Sequence, residues 1–145
     1  MIYKDKPYDF DAKFEIASCF VEYNGKILLL HRQNHKPEGN FWCMPGGKIE
    51  KSEEIAKAAK REIYEESGLD FPENQFKYSG KIYVKYPNYD FIYHIFHLQL
   101  NKEEKIKIDK KEHKDFCWVT VEGSLKMALI RDLSDCIKLF YVEDL

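Results

Sequence analysis

Long apolar runs are missing from this chain: no stretch approaches the ~18 apolar residues that a membrane-spanning helix needs. The first ten residues, MIYKDKPYDF, contain no apolar segment, so neither a signal peptide nor a membrane partner is expected. An excess of one charge is missing too. Twenty-five acidic residues face 23 basic ones, for a net charge of −2, which argues against a basic surface for duplex nucleic acid and leaves a free nucleotide open. Cysteine is scarce and scattered. Cys19, Cys43, Cys117 and Cys136 form no CxxC pair, which fits neither a zinc site nor a disulfide framework and suits reduced thiols in the cytoplasm. Repeats and low-complexity segments are absent.

What is present is a chain of 145 residues, the length of one domain with a proper core, and 15% aromatic content, far above that of a disordered chain. Residues 1–12 read as an irregular lead-in. Two apolar, β-prone runs, 14–23 and 26–32, flank Asn24-Gly25, the strongest short hairpin signal because a type I′ turn needs positive φ at both central residues. Residues 27–30 are apolar on both faces, as in a strand covered on each side. Residues 33–40 read as loop, and 41–47 as a short strand running into a Gly-Gly bend. Further strands are expected at about 78–86 and 89–100, hinged at Pro87-Asn88, with a shorter one at 116–119. Residues 101–111 read as loop. The pattern Leu125, Met127, Leu129, Leu133, Ile137, Phe140 predicts a closing helix from about 123 to 141. Strands interleaved with two helices imply an α/β fold, a mixed sheet with a helix on each face.

The informative stretch is residues 47–69, GKIEKSEEIAKAAKREIYEESGL. Ser52 is a suitable N-cap, Glu53 and Glu54 suit a first helical turn, and Gly68 suits the helix end. With about 100° per residue and Ile55 at zero, Ala59 falls near 40°, Ile63 near 80°, Glu62 near 340° and Glu66 near 20°. Two acids therefore lie among the apolar positions, while Lys57, Lys60 and Arg61 lie on the other side. An ordinary amphipathic helix does the reverse. At the i±3 and i±4 spacings neither Glu62 nor Glu66 has a Lys or Arg; only Glu65 does, in Arg61. Partly buried carboxylates without cations need a counter-charge, and a hard divalent cation supplies one.

The spacing itself is specific. Gly47, five residues, Glu53, seven residues, then Arg61-Glu62-Ile63-x-Glu65-Glu66-x-Gly68-Leu69 resembles the Nudix box at every fixed position. The order of elements around it is similar to the family as well. The resemblance implies the Nudix α/β/α sandwich and an enzyme that hydrolyses a nucleoside diphosphate linked to another group X, with Mg2+ or Mn2+ as cofactor. It implies Glu66 and Glu62 as the first metal ligands, Glu65 as a ligand or a group tied to Arg61, and the Gly47 carbonyl as a further ligand. Glu62 is the choice for general base, and Arg61 orients Glu65 or Glu53. Glu112, in the loop entering the late strand, matches a position where several family members place an additional metal-binding or basic glutamate.

The resemblance favours a (d)NTP, standard or oxidised, because Pro45-Gly46-Gly47-Lys48-Ile49-Glu50 looks like the segment of small MutT-type triphosphatases. Tyr86, 17 residues past Leu69, speaks for a dinucleoside polyphosphate, and Pro87 lies near the place of a proline in ADP-ribose hydrolases. Trp42, Tyr86, Tyr93 and Trp118 are the candidates for stacking on a base. A nucleotide-binding sensor is the non-enzymatic alternative, and a homodimer is left open. His94 and His97 look like HxxH, but their odd spacing on a strand sends them to opposite faces and excludes a shared metal site.

Overall fold

The computed structural model describes residues 1–142. The long strands behave as their alternation requires. β2 (Ala12–Tyr23) and β3 (Lys26–Arg32) are antiparallel across Asn24-Gly25, whose φ values of 53° and 76° are the positive pair a type I′ turn needs. β7 (Asp90–Gln99) lies parallel to β2, and β6 (Lys77–Lys85) antiparallel to β7. β8 (His113–Thr120) pairs with β3 from residue 26 to 32, longer than the strand expected at 116–119.

The two faces of the sheet bury different sets of side chains. Leu28, Leu30, Ala17, Cys19 and Phe96 pack with Ala58, Ala59 and Ile63 of α1 (Ile55–Ser67). Ile27, Leu29, Phe20 and Ile95 pack with Leu133 and Ile137 of α3 (Leu133–Tyr141). Period-two alternation thus feeds one helix on each side, and the α/β sandwich follows. Among the described residues no helix is long and apolar enough to cross a membrane.

Four local expectations are corrected. The lead-in contains a short strand, β1 (Ile2–Tyr3), paired with β6. The Gly-Gly bend is itself a strand: β4 (Trp42–Cys43) pairs with β3, and β5 (Gly46–Lys48) pairs with β2. Ser52 does not cap α1. The Glu53 carboxylate accepts the Glu50 N–H at 2.9 Å and two bonds from Arg61, so residues 50–53 form a turn, Ser52 takes φ 64°, and Glu54 stands at the N-cap. The closing helix is broken into α2 (Val121–Ser124) and α3. Between them Trp42 N–H donates to Ala128 O at 2.8 Å and Ile130 N–H to Trp42 O at 3.0 Å. Pairing with β4 satisfies the backbone that a continuous helix would have satisfied internally. At the other end α1 closes as expected, with Gly68 at φ 77° donating its N–H to Tyr64 O at 2.9 Å.

Candidate active site

β5 packs against α1, and their contact brings backbone and carboxylates together. Gly46 N–H donates to Glu66 Oε1 at 2.7 Å. A Cβ on Gly47 would fall 2.6 Å from Glu62 Oε1 and closer still to its Cδ and Oε2, so only glycine admits that carboxylate. Both acids line a polar cavity of about 740 Å3, a usual size for a small-molecule site.

Arg61 organises the neighbourhood. Its Nε and Nη2 donate to the two oxygens of Glu53 at 2.7 and 2.9 Å, and Nη2 also reaches Lys48 O at 3.1 Å. Nη1 donates to Glu62 Oε1 at 2.8 Å and to Glu65 at 3.3–3.4 Å. The absence of a cation at helical spacing from Glu62 therefore did not leave it unpaired: the adjacent Arg61 curls its long side chain around to it. Arg61 in turn holds the Glu53 carboxyl down to about 2, chiefly through its hydrogen bonds. Burial raises Glu62 above the ordinary carboxylate range, against the pull of Arg61. Among the described residues Glu66 has no such partner. Burial, with the Glu62 and Glu112 charges, pushes it up to about 8, opposed by the Gly46 N–H and the charge of Arg32.

The acids do not form one tight cluster. Glu65 is about half exposed and held by Arg61, and Glu112 stands in another loop with Lys36 Nζ 3.0 Å from its carboxylate. Among the described residues no three His, Cys, Asp or Glu side chains are grouped closely enough to hold an ion as they stand. The donor chemistry nonetheless fits a hard divalent cation: Glu66 and Glu62 are oxygen donors beside the close-packed Gly47 backbone, and Glu66 is a part-buried carboxylate short of positive charge.

Of the aromatic candidates, Tyr93 alone lines the cavity. Trp42 stacks on His31 at 4.2 Å and lies outside the cavity lining. Tyr86 sits in a separate small apolar pocket, its ring under Arg131 at 5.0 Å. Trp118 packs edge-on against Tyr23 in the α1-side core. The two histidines of HxxH are apart, His94 on Glu15 and Tyr78, His97 on Ser79.

Two cations were not anticipated. Arg32, at the end of β3, and Lys36, in the following loop, line the same cavity as the acids. The available signal was their position at the strand end and in the loop ahead of Gly46-Gly47, which brings basic groups next to the box. His113 is also at this wall. It lies 3.5 Å from Cys43 Sγ, its Nδ1 is buried without a partner among the described residues, and burial lowers it to about 4 while raising the Cys43 thiol to about 12.

Comparison with known proteins bears on the family and the fold. The NUDIX domain family model matches residues 13–137. A dihydroneopterin triphosphate diphosphatase from Haemophilus influenzae is 28% identical over 136 residues, spanning 85% of this chain and 83% of that protein. An ADP-ribose pyrophosphatase from Bacillus subtilis is 33% identical over 126 residues, spanning 83% of this chain and 65% of that protein. Among solved structures, a MutT protein from Methanosarcina mazei superposes with a TM-score of 0.78 at 22% identity, covering 95% of this chain and 99% of the other, and shows the same fold. With the box residues gathered on one helix and strand of this fold, the chain belongs to the Nudix family of hydrolases, which act on pyrophosphate bonds.

Proposed function

We propose that this enzyme cleaves a nucleoside triphosphate, standard or oxidised, to the monophosphate and pyrophosphate. The observation that carries the reading is the meeting of Glu62 and Glu66 with Arg32 and Lys36 in one cavity. Acids alone would hold a cation; acids and cations together suit a metal-bound polyphosphate. The Haemophilus relative is named for a triphosphate substrate, which supports the same class.

In this reading Glu62, Glu66 and the Gly47 carbonyl would hold Mg2+ or Mn2+, with Glu65 and Glu112 as further donors. A bound ion would polarise a phosphoryl oxygen and lower the pKa of bound water. The protein's part is positioning, which dominates phosphoryl-transfer catalysis. Gly46 N–H fixes Glu66, and Arg61 fixes Glu62 while bracing the box against Glu53 and Lys48 O. Where Glu66, Glu65 and Glu112 supply the ligands, Glu62 is left to accept the proton of the attacking water. Arg32 and Lys36 hold phosphate oxygens, and Tyr93 offers a ring to the base. The thiols are free, in keeping with a place in the cytoplasm.

An ADP-ribose reading stands second, on the Bacillus relative. The dinucleoside polyphosphate reading rested on Tyr86, which lies outside the cavity, and it loses that support. A product screen with Mg2+ over (d)NTPs, 8-oxo-dGTP, dihydroneopterin triphosphate, diadenosine polyphosphates and ADP-ribose is the test. Pyrophosphate plus a monophosphate supports the proposal, and preferential ADP-ribose cleavage refutes it. Tight binding of one nucleotide without turnover would point to a sensor.

A further inference from the structure

Three Lys and Arg side chains line the cavity: Lys48, whose Nζ sits 4.4 Å over the Phe14 ring, Arg32, and Lys36, which holds a solvent-exposed carboxylate. Arg32 is fixed by its Nε, which donates to Pro37 O at 2.7 Å, and among the described residues no acid pairs with it. Lys36 Nζ lies 3.0 Å from both oxygens of Glu112, with the side chains 29% and 43% exposed. The two loops that carry this pair are tied through their backbones. Gln33 N–H donates to Glu112 O at 3.0 Å, Gln33 Nε2 to Lys110 O at 2.8 Å, and Lys36 N–H to Gln33 O at 3.1 Å. A change of partner by Lys36 therefore needs side-chain motion only.

We propose that Lys36 and Arg32 form the seat of a terminal phosphate, and that substrate entry transfers Lys36 from Glu112 to that phosphate, so that the site selects substrates ending in a free phosphoryl group. An ion pair this exposed contributes little. A terminal phosphate offers nearly two charges and three acceptor oxygens, and its bonds to Lys and Arg are charge-assisted. An internal diphosphate, esterified at both ends as in ADP-ribose, has one charge and two free oxygens on each phosphorus and is the weaker competitor for Lys36. Arg32, being unpaired, receives either. The transfer also leaves the Glu112 carboxylate free of its cation, at the wall of the cavity that Glu66 lines. This inference rests on the triphosphate reading above and adds to it the residue that discriminates.

The test measures binding in EDTA, where no turnover occurs, of ATP and of ADP-ribose to the wild type, Lys36→Met and Glu112→Gln, alongside wild-type product analysis with Mg2+. Lys36→Met is expected to weaken ATP by about tenfold, one charge-assisted contact, and ADP-ribose by less than about twofold. Glu112→Gln is expected to tighten ATP several-fold, because Lys36 is released, a gain that a merely structural pair would not produce. Equal losses for both ligands in Lys36→Met, no loss at all, or weaker ATP binding in Glu112→Gln would each overturn the proposal. If the wild type cleaves triphosphates while Lys36→Met binds ATP normally, only the seat falls. If the wild type prefers ADP-ribose, the triphosphate reading falls first and takes the seat with it.

Discussion

An alanine at position 47 would put its Cβ 2.6 Å from Glu62 Oε1, against the end of a flexible side chain and not against backbone. Relief requires the carboxylate to retreat by roughly 1 Å, and a displacement of that size at a reacting centre costs about 10²-fold in rate. That corresponds to about 2.7 kcal/mol of transition-state stabilisation. The fold should hardly notice. Glycine-to-alanine in an accessible conformation stabilises by about 0.4–1 kcal/mol through the unfolded chain, which offsets the cost of moving Glu62. Gly46 supplies the control. Its added Cβ would stand 2.6 Å from Ala17 O and 2.7 Å from Ser18 Cα, in the buried backbone of β2, and closer to Ser18 Oγ. Gly46→Ala should therefore lose about 1–3 kcal/mol of stability, as overpacking does. The assay pairs steady-state pyrophosphate release with thermal melting for both variants. Gly47→Ala is expected to melt within about 3 °C of wild type and to lose about 10²-fold in kcat, whereas Gly46→Ala melts several degrees lower. Activity of Gly47→Ala within threefold of wild type, or a melting loss as large as that of Gly46→Ala, would refute the reasoning.

Glu66→Gln exchanges a part-buried carboxyl, pushed up to about 8 by burial, for a neutral amide of the same shape; among the described residues its close hydrogen bond is the Gly46 N–H. It should keep or raise the melting temperature in EDTA, lose at least about 10²-fold in turnover, and lose the stabilisation that Mg2+ gives the wild type; unchanged hydrolysis would remove Glu66 from the metal site. Glu53 is held near 2 in the folded chain against 4.5 ordinarily, so the folded state binds fewer protons than the unfolded one between those values. Its contribution is present above about pH 4.5 and disappears as pH falls toward 2; urea titrations should show Glu53→Gln less stable at pH 7 with the gap closing in acid, and a constant gap would contradict the Arg61 assignment. Cys19, Cys43 and Cys136 are buried and burial raises each thiol, so a disulfide reagent should modify Cys117 first in the native protein and all four in denaturant. Rapid native modification of more than one thiol would show that the core opens.

Local spacing carried much of this protein in the sequence. Asn24-Gly25 announced the hairpin, the two-faced run at 27–30 announced a strand covered on both sides, and Gly68 announced the end of α1. The box placed Glu62 and Glu66 on the inward face of that helix because turns, strand alternation and helical period all act within a few residues. Tertiary structure decided what lies beyond that range. The closing helix was broken by a backbone pairing with Trp42, more than 80 residues earlier in the chain, which periodicity cannot register. Arg61 reached its neighbour Glu62 because a guanidinium on a long stem is not confined to the i±3 and i±4 positions. Trp42 and Tyr86 were drawn to other packing sites, leaving Tyr93 at the cavity. The meeting of Lys36 with Glu112, 76 residues apart, set cations among the acids, and only a folded sheet brings those two loops together.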